Sequence, residues 1–108
     1  MAISDIDKVL IIVQEASTDT VNHALLLASG ARAHNLATDV MFSGGAAIAV
    51  TTGGLDDTTK SYLQDIKDAG GYIYVDQPSD GLWDGVKAVI SLDQFKHHAT
   101  AHTQIVTV

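Results

Sequence analysis

Segments with the pattern of β-strands alternate along the chain with segments of helical periodicity. The clearest strand signal is the continuous apolar, β-branched run Lys8–Val13, which is typical of a strand buried on both faces at the centre of a parallel sheet. Four more strands are predicted at residues 38–42, 72–75, 87–90 and 104–108. Between the first two strands, apolar residues from Val21 to Ala31 recur at helical spacing.

The remaining helical segments are predicted from apolar spacing together with capping residues. A short apolar helix is expected over residues 46–50, and an amphipathic helix that follows it is expected to stop at the glycine pair Gly70-Gly71. Polar residues that can cap the three longer helices through a side-chain oxygen are Thr18 or Asp19, Asp56 or Asp57, and Ser91 with Gln94 as a capping box.

This alternation predicts βαβ units, and therefore a parallel sheet with helices on both faces. We expect an α/β fold of three layers, α/β/α, with a five-stranded parallel sheet in the middle. The 108 residues suit one domain, residues 1–108. Hydrophobic residues make up 46% of the chain and aromatic residues only 6%, so the predicted core is mainly aliphatic.

The charge balance is acidic, with a formal net charge of −7 and Arg32 as the sole arginine. Such a surface repels nucleic acids and anionic membranes, whose binding depends on cationic side chains, so we expect neither as a partner. No apolar stretch approaches the roughly 20 residues needed to span a bilayer, and the first residues do not resemble a secretion signal. Together with the absence of cysteine, this favours the cytoplasm.

A ligand site is expected where the strands end, because open parallel sheets bind ligands outside the carboxyl ends of their strands. Glu15 and Asp76 would form an acid-base carboxylate pair if the first and third strands were neighbours, and are otherwise solvated surface groups. No catalytic residue and no cofactor is assigned. The candidate ligand-binding residues at this edge are Glu15, Ser17, Ser43, Gly44, Gly45, Asp76, Gln77 and Ser79.

The Ser43-Gly44-Gly45 segment before the short helix has two interpretations. Glycines at a helix start can present backbone N–H groups to a small anion or phosphate. The alternative is a tight turn that needs the conformational freedom of glycine. No lysine follows at the spacing of a phosphate-binding loop, so that motif is not met.

Two further features allow both a functional and a structural interpretation. His98 and His102 are four residues apart, which on one face of the last helix is the spacing of a two-histidine metal site. Histidine near a helix C-terminus is also favoured by the helix dipole alone. Trp83 lies in a short connection, either exposed as an interface anchor or folded over the sheet edge.

The order of these segments resembles the DsrE/DsrF-like family, which includes small subunits of sulfur-relay complexes. The resemblance covers nearly the whole chain, with Asp39–Gly45 in the place of the family segment V-x-V-F-x-x-x-G. The other matching segments are Lys8–Val13, Leu63–Val75, Asp84–Val86 and Ser91–Phe95 before a terminal strand. The resemblance implies a parallel five-stranded sheet and assembly into homo- or hetero-oligomers, often trimers or hexamers.

Active members of that family carry a cysteine just after the third strand, which accepts sulfur as a persulfide. Here Asp76 or Gln77 stands at that position, and the chain has no cysteine, which excludes persulfide sulfurtransferase activity of its own. The hypothesis is therefore a non-catalytic subunit for binding or assembly in a setting linked to sulfur metabolism, with Leu25, Leu26 and Leu27 as an oligomer contact. The alternative is a cysteine-independent binder of a small molecule or metal, or an enzyme, at the carboxyl edge.

Overall fold

The alternation of strands and helices is preserved in the computed structural model, which describes residues 6–15, 17–51, 53–78 and 80–108. No helix in these ranges is long and apolar enough to cross a membrane. In chain order the elements are β1 (Lys8–Val13), α1 (Thr18–Ala33), β2 (Ala37–Phe42), a 3₁₀ helix (Gly44–Val50), α2 (Asp57–Asp68), β3 (Ile73–Val75), β4 (Ala88–Val89), α3 (Leu92–Lys96) and β5 (Thr103–Thr107).

The five strands form one sheet in the order β4-β3-β2-β1-β5, and every neighbouring pair is parallel. The predicted five-stranded parallel sheet is therefore confirmed. β1 lies between β2 and β5, which explains the apolar run of Lys8–Val13, because a strand with neighbours on both sides and helices on both faces is buried throughout.

Alternate residues of the strands serve the two faces of the sheet. On one face, Val9, Ile11 and Val13 of β1 pack with buried residues of α1, α2 and the 3₁₀ helix. On the other face, Leu10 and Ile12 pack in a smaller cluster with Phe95 of α3. The sheet thus has helices on both sides, as the alternation predicts, but one layer is built from two long helices and the other around a five-residue helix.

The helices α1, α2 and α3 begin at side-chain caps. Ser17, and not Thr18 or Asp19, is the N-cap of α1, where its side chain accepts from the Thr20 backbone N–H. Asp56 caps α2 as predicted, and the hydrogen bond from the Thr59 backbone N–H is the main reason that the pKa of Asp56 lies below its ordinary value of 3.8. The predicted capping box of Ser91 and Gln94 is present at the start of α3.

The connection after α2 and the connection that contains Trp83 each depend on a glycine. Gly70 follows α2 with a φ of +88°, so the predicted left-handed stop is confirmed. Trp83 is buried at 6% exposure and packs directly against Gly85, where any Cβ atom would collide with the indole ring. Trp83 therefore belongs to the core and is not an exposed interface anchor.

Candidate functional site

The ends of β2 and β3 bring two of the predicted site residues side by side. Phe42 and Val75 are the last residues of their strands and are direct partners in the parallel ladder. The next residues, Ser43 and Asp76, therefore leave the sheet at adjacent positions of its carboxyl edge. This placement follows from the register alone, since parallel neighbours end on the same side.

Both carboxylate oxygens of Asp76 accept hydrogen bonds from the segment after β2. The Ser43 hydroxyl donates to Oδ2 at 2.6 Å, and the Gly44 backbone N–H donates to Oδ1 at 2.8 Å. Bonds of this kind to an ionised acceptor are shorter and stronger than bonds between neutral groups. We name Ser43, Gly44 and Asp76 the edge cluster, and it links the two strand ends.

The edge cluster changes the interpretation of the glycine turn. Gly44 has a φ of +58°, so the turn needs glycine for conformational reasons. Its N–H faces a negative charge, as an anion site requires, but that charge is the carboxylate of Asp76 from the same chain. Gly45 is exposed beside it. The segment is a tight turn in which the Asp76 carboxylate accepts the hydrogen bond that an external anion would otherwise accept.

Glu15 and Ser17 lie at the end of β1 and form a separate local network. The Ser17 hydroxyl donates to Thr20 Oγ1 at 2.9 Å, and Thr20 Oγ1 donates to Glu15 Oε2 at 3.3 Å. β2 lies between β1 and β3, so the condition for a Glu15–Asp76 pair, neighbouring first and third strands, is not met. Two strand spacings separate those strands, about 10 Å.

The other two predicted residues of this edge are Gln77 and Ser79. Gln77 is exposed in the bend after Asp76. Ser79 lies outside the described residues. The structure therefore brings together Ser43, Gly44 and Asp76 of the predicted set, and places Glu15 with Ser17 in a second group.

The spacing argument for a histidine metal site does not apply. α3 ends at Lys96 and His97 is its C-cap, so His98 and His102 do not share a helical face. The His98 ring instead packs edge-on against Tyr74, with ring centroids 5.4 Å apart, and lies 5.9 Å from the Phe95 ring. Within the described ranges, no group of three or more His, Cys, Asp or Glu side chains is arranged to hold a metal ion.

The opposite, amino edge of the sheet carries a second carboxylate, which the sequence analysis did not single out. Asp39 of β2 is only 6% exposed, accepts from the Tyr72 backbone N–H at 2.9 Å and pairs with Lys8 at 3.5 Å. The sequence signal for Asp39 was an acidic residue inside a strand without any other charged residue. Burial, reinforced by the charges of Asp39 and Tyr72, raises the pKa of the Tyr74 phenol above its ordinary value.

A cavity at this amino edge is lined by side chains of both charges. Its volume is about 170 Å³, and it is lined by Lys8, Arg32, Asp39 and Tyr72 among others. The Nε of Arg32 is buried and has no hydrogen-bond partner among the described residues. Because acidic and basic side chains line the same cavity, it has no single electrostatic preference for a ligand.

The fold and the edge cluster define a class: a cysteine-free parallel α/β protein whose strand ends are joined by an internal carboxylate, hydroxyl and amide. The chain matches no protein-family model, and the comparison with curated proteins finds no match.

Proposed function

We propose that this chain is a non-catalytic DsrE/DsrF-like subunit that acts through binding and assembly and not through sulfur transfer. The observation that carries the proposal is the environment of Asp76. It follows the third strand, where active members of that family need a thiolate, and both its oxygens accept hydrogen bonds from Ser43 and Gly44. A carboxylate held in this way has no sulfur nucleophile to offer.

The scaffold itself supports the resemblance. A parallel five-stranded sheet with helices on both faces is what the family implies, and the sheet of this chain has that architecture. The residue after β3 lies beside the start of the 3₁₀ helix, next to a backbone N–H and a hydroxyl. A thiolate placed at this position would be stabilised by these two donors.

Assembly is supported by exposed leucines on α1. Leu26 and Leu27 are 55% and 41% exposed, whereas Leu25 is fully buried and belongs to the core. The predicted contact of three successive leucines is therefore reduced to two. Large apolar side chains exposed together on a helix are typical of interaction surfaces, and we assign Leu26 and Leu27 to a homo-oligomer, a trimer or hexamer, or to contacts with related subunits.

Native mass spectrometry of the full chain tests the assembly. We expect the wild type to form a trimer or hexamer and Leu26→Glu and Leu27→Glu to dissociate it, because each copy then carries a carboxylate into an apolar contact. Ile48→Glu is the matched control, since Ile48 is 58% exposed but lies on the 3₁₀ helix. A wild-type chain that stays monomeric at every concentration measured contradicts the proposal.

The thiol pKa of an introduced cysteine tests the resemblance separately. Asp76→Cys places a thiol beside the Ser43 hydroxyl and the Gly44 N–H, so its pKa should fall below the ordinary value of about 8.5. Gln77→Cys is the control, because residue 77 is exposed. The ultraviolet absorbance of the thiolate measured against pH gives both values. Equal pKa values for the two thiols would remove the support that Asp76 provides for the family assignment.

A further inference from the structure

The two edges of the sheet are protected to very different degrees. Edge strands expose unpaired backbone groups, and proteins usually shield them by keeping them short or by placing charges or proline there. β4 is only two residues long and follows directly after Lys87. β5 is five residues long, with the sequence TQIVT, and contains neither a charged residue nor proline.

The hydrogen bonds to β1 identify which residues of β5 point outward. Val108 donates its N–H to Ile12 O at 2.8 Å and accepts from Gln14 N at 3.2 Å, and His102 O accepts from Asp7 N at 3.0 Å. Backbone groups of successive strand residues point to opposite sides, so the even-numbered residues of β5 face β1. The N–H and C=O groups of Thr103, Ile105 and Thr107 therefore point away from the sheet.

The chain satisfies these outward groups only in part. Thr103 donates its N–H to Thr100 O at 3.3 Å, and the exposed Gln104 side chain donates to Ile105 O at 3.3 Å. Within the described ranges, no strand pairs with the outer side of β5, which leaves the N–H groups of Ile105 and Thr107 available. Such an edge accepts another strand.

We propose that β5 pairs antiparallel with β5 of a second copy of this chain, about a two-fold axis at Ile105. In that register Ile105 exchanges both of its backbone hydrogen bonds with Ile105 of the second copy, whose N–H replaces the exposed Gln104 side chain as the donor to Ile105 O. The Thr107 N–H donates to Thr103 O of the second copy, while the Thr103 N–H keeps its bond to Thr100 O. Each outward residue thus meets an outward residue, which is the self-complementarity that a two-fold interface requires. The two sheets become one continuous sheet of ten strands.

The side chains of β5 fit a second copy of the same strand. Ile105 is 38% exposed and lies on the face of its ladder partner Leu10. Pairing brings two Ile105 side chains directly opposite each other, and apolar β-branched pairs of this kind stabilise sheets. Each copy carries a formal net charge of −7, but the contact strand is uncharged, so no like charges meet within it.

This inference goes beyond the proposed function, because it depends on the edge geometry and not on the family resemblance or on α1. Sedimentation velocity of the full chain is the test. We expect the wild type to contain a reversible two-fold dimer within an even-numbered assembly such as the hexamer. Ile105→Lys should raise its dissociation constant at least about tenfold, because two ammonium groups then lie directly opposite each other.

Val89→Lys is the matched control, since Val89 is 44% exposed and lies on the other edge strand, β4; it should dimerise like the wild type. Ile105→Pro is a second variant that keeps the β1–β5 ladder, because the N–H it removes points outward. It should dissociate the dimer while circular dichroism shows an intact fold.

A wild type without any two-fold dimer overturns the edge pairing, as does wild-type assembly in both Ile105 variants. If only the α1 variants dissociate the assembly, edge pairing is wrong and the proposed function stands. If only the Ile105 variants dissociate it, edge pairing stands and the α1 contact is wrong.

Discussion

β2 and β3 are joined by one carboxylate at each end, and the two carboxylates have different surroundings. At the amino edge, Asp39 is almost fully buried, accepts from the Tyr72 N–H and is neutralised by Lys8. At the carboxyl edge, Asp76 is half-buried and is held by two uncharged donors, the Ser43 hydroxyl and the Gly44 N–H.

The difference follows from solvation. A carboxylate removed from water needs an opposite charge, whereas one that keeps part of its hydration is stabilised well enough by neutral donors. At the carboxyl edge, where open parallel sheets usually bind ligands, Asp76 thus joins two strand ends through neutral donors.

Loss of the buried carboxylate should have the largest effect on stability. Asp39→Ala leaves the Tyr72 N–H and the Lys8 ammonium without their acceptor, which should lower the free energy of unfolding by about 2–4 kcal/mol. Urea unfolding followed by circular dichroism measures the change. Asp65→Ala is the control, because Asp65 is exposed, and should stay within about 0.5 kcal/mol of the wild type. Equal losses in the two variants would refute the role of Asp39.

Loss of the carboxylate at the other end should have a smaller effect. Asp76→Ala removes two hydrogen bonds to a charged acceptor, but Gly44 is exposed and Ser43 half-buried, so water replaces part of what is lost. We expect a loss of about 1–2 kcal/mol in the same unfolding experiment. Gln77→Ala changes the neighbouring exposed residue and should be nearly neutral. A loss for Asp76→Ala as large as that for Asp39→Ala would remove the distinction between the two ends.

The smallest effect concerns the titration of Tyr74. Its pKa lies above the ordinary 10.0, first because of burial and then because of the charges of Asp39 and Tyr72. The neutral phenol is favoured in the folded state, so its contribution to stability is fully present below pH 10 and is lost as the pH rises through the higher folded pKa. In a phenolate absorbance experiment, Tyr74 should therefore give a late component, above the ordinary tyrosine pKa of 10.0.

The contribution of the Asp39 charge to the pKa of Tyr74 can be isolated by substitution. Asp39→Asn keeps an acceptor for the Tyr72 N–H but removes the negative charge, so the pKa of Tyr74 should fall towards 10.0. Tyr74→Phe should abolish the late component and identifies it. A Tyr74 titration that is unchanged in Asp39→Asn would show that the charge of Asp39 does not contribute to the raised pKa.

The sequence was sufficient to predict the fold because local patterns carry the relevant physics. A β-branched apolar run such as Lys8–Val13 is compatible with few environments other than the centre of a parallel sheet. The capping box of Ser91 and Gln94 likewise depends only on residues three apart. The prediction that α3 continues through His98 and His102 was wrong, because the helix ends at Lys96. The packing of His98 against Tyr74 is a tertiary contact that no local pattern contains.

The candidate site was predicted only in part for the same reason. Ser43 and Asp76 were expected at one edge because both follow strands, and the register brings them into contact. The strand order was not contained in the pattern, so the pairing of Glu15 with Asp76 stayed conditional and then failed. Asp39 was overlooked because its partners, Tyr72 and Lys8, are distant in sequence.

A double-mutant cycle tests whether the residue after the third strand is a carboxylate engaged within the chain. The free energies of unfolding of the wild type, Asp76→Ala, Ser43→Ala and the double variant give the coupling between the two side chains. The hydrogen bond of 2.6 Å between them predicts a coupling of about 1 kcal/mol. If the losses of the two single variants add up to the loss of the double variant within about 0.3 kcal/mol, Asp76 is independent of Ser43 and is not engaged by it.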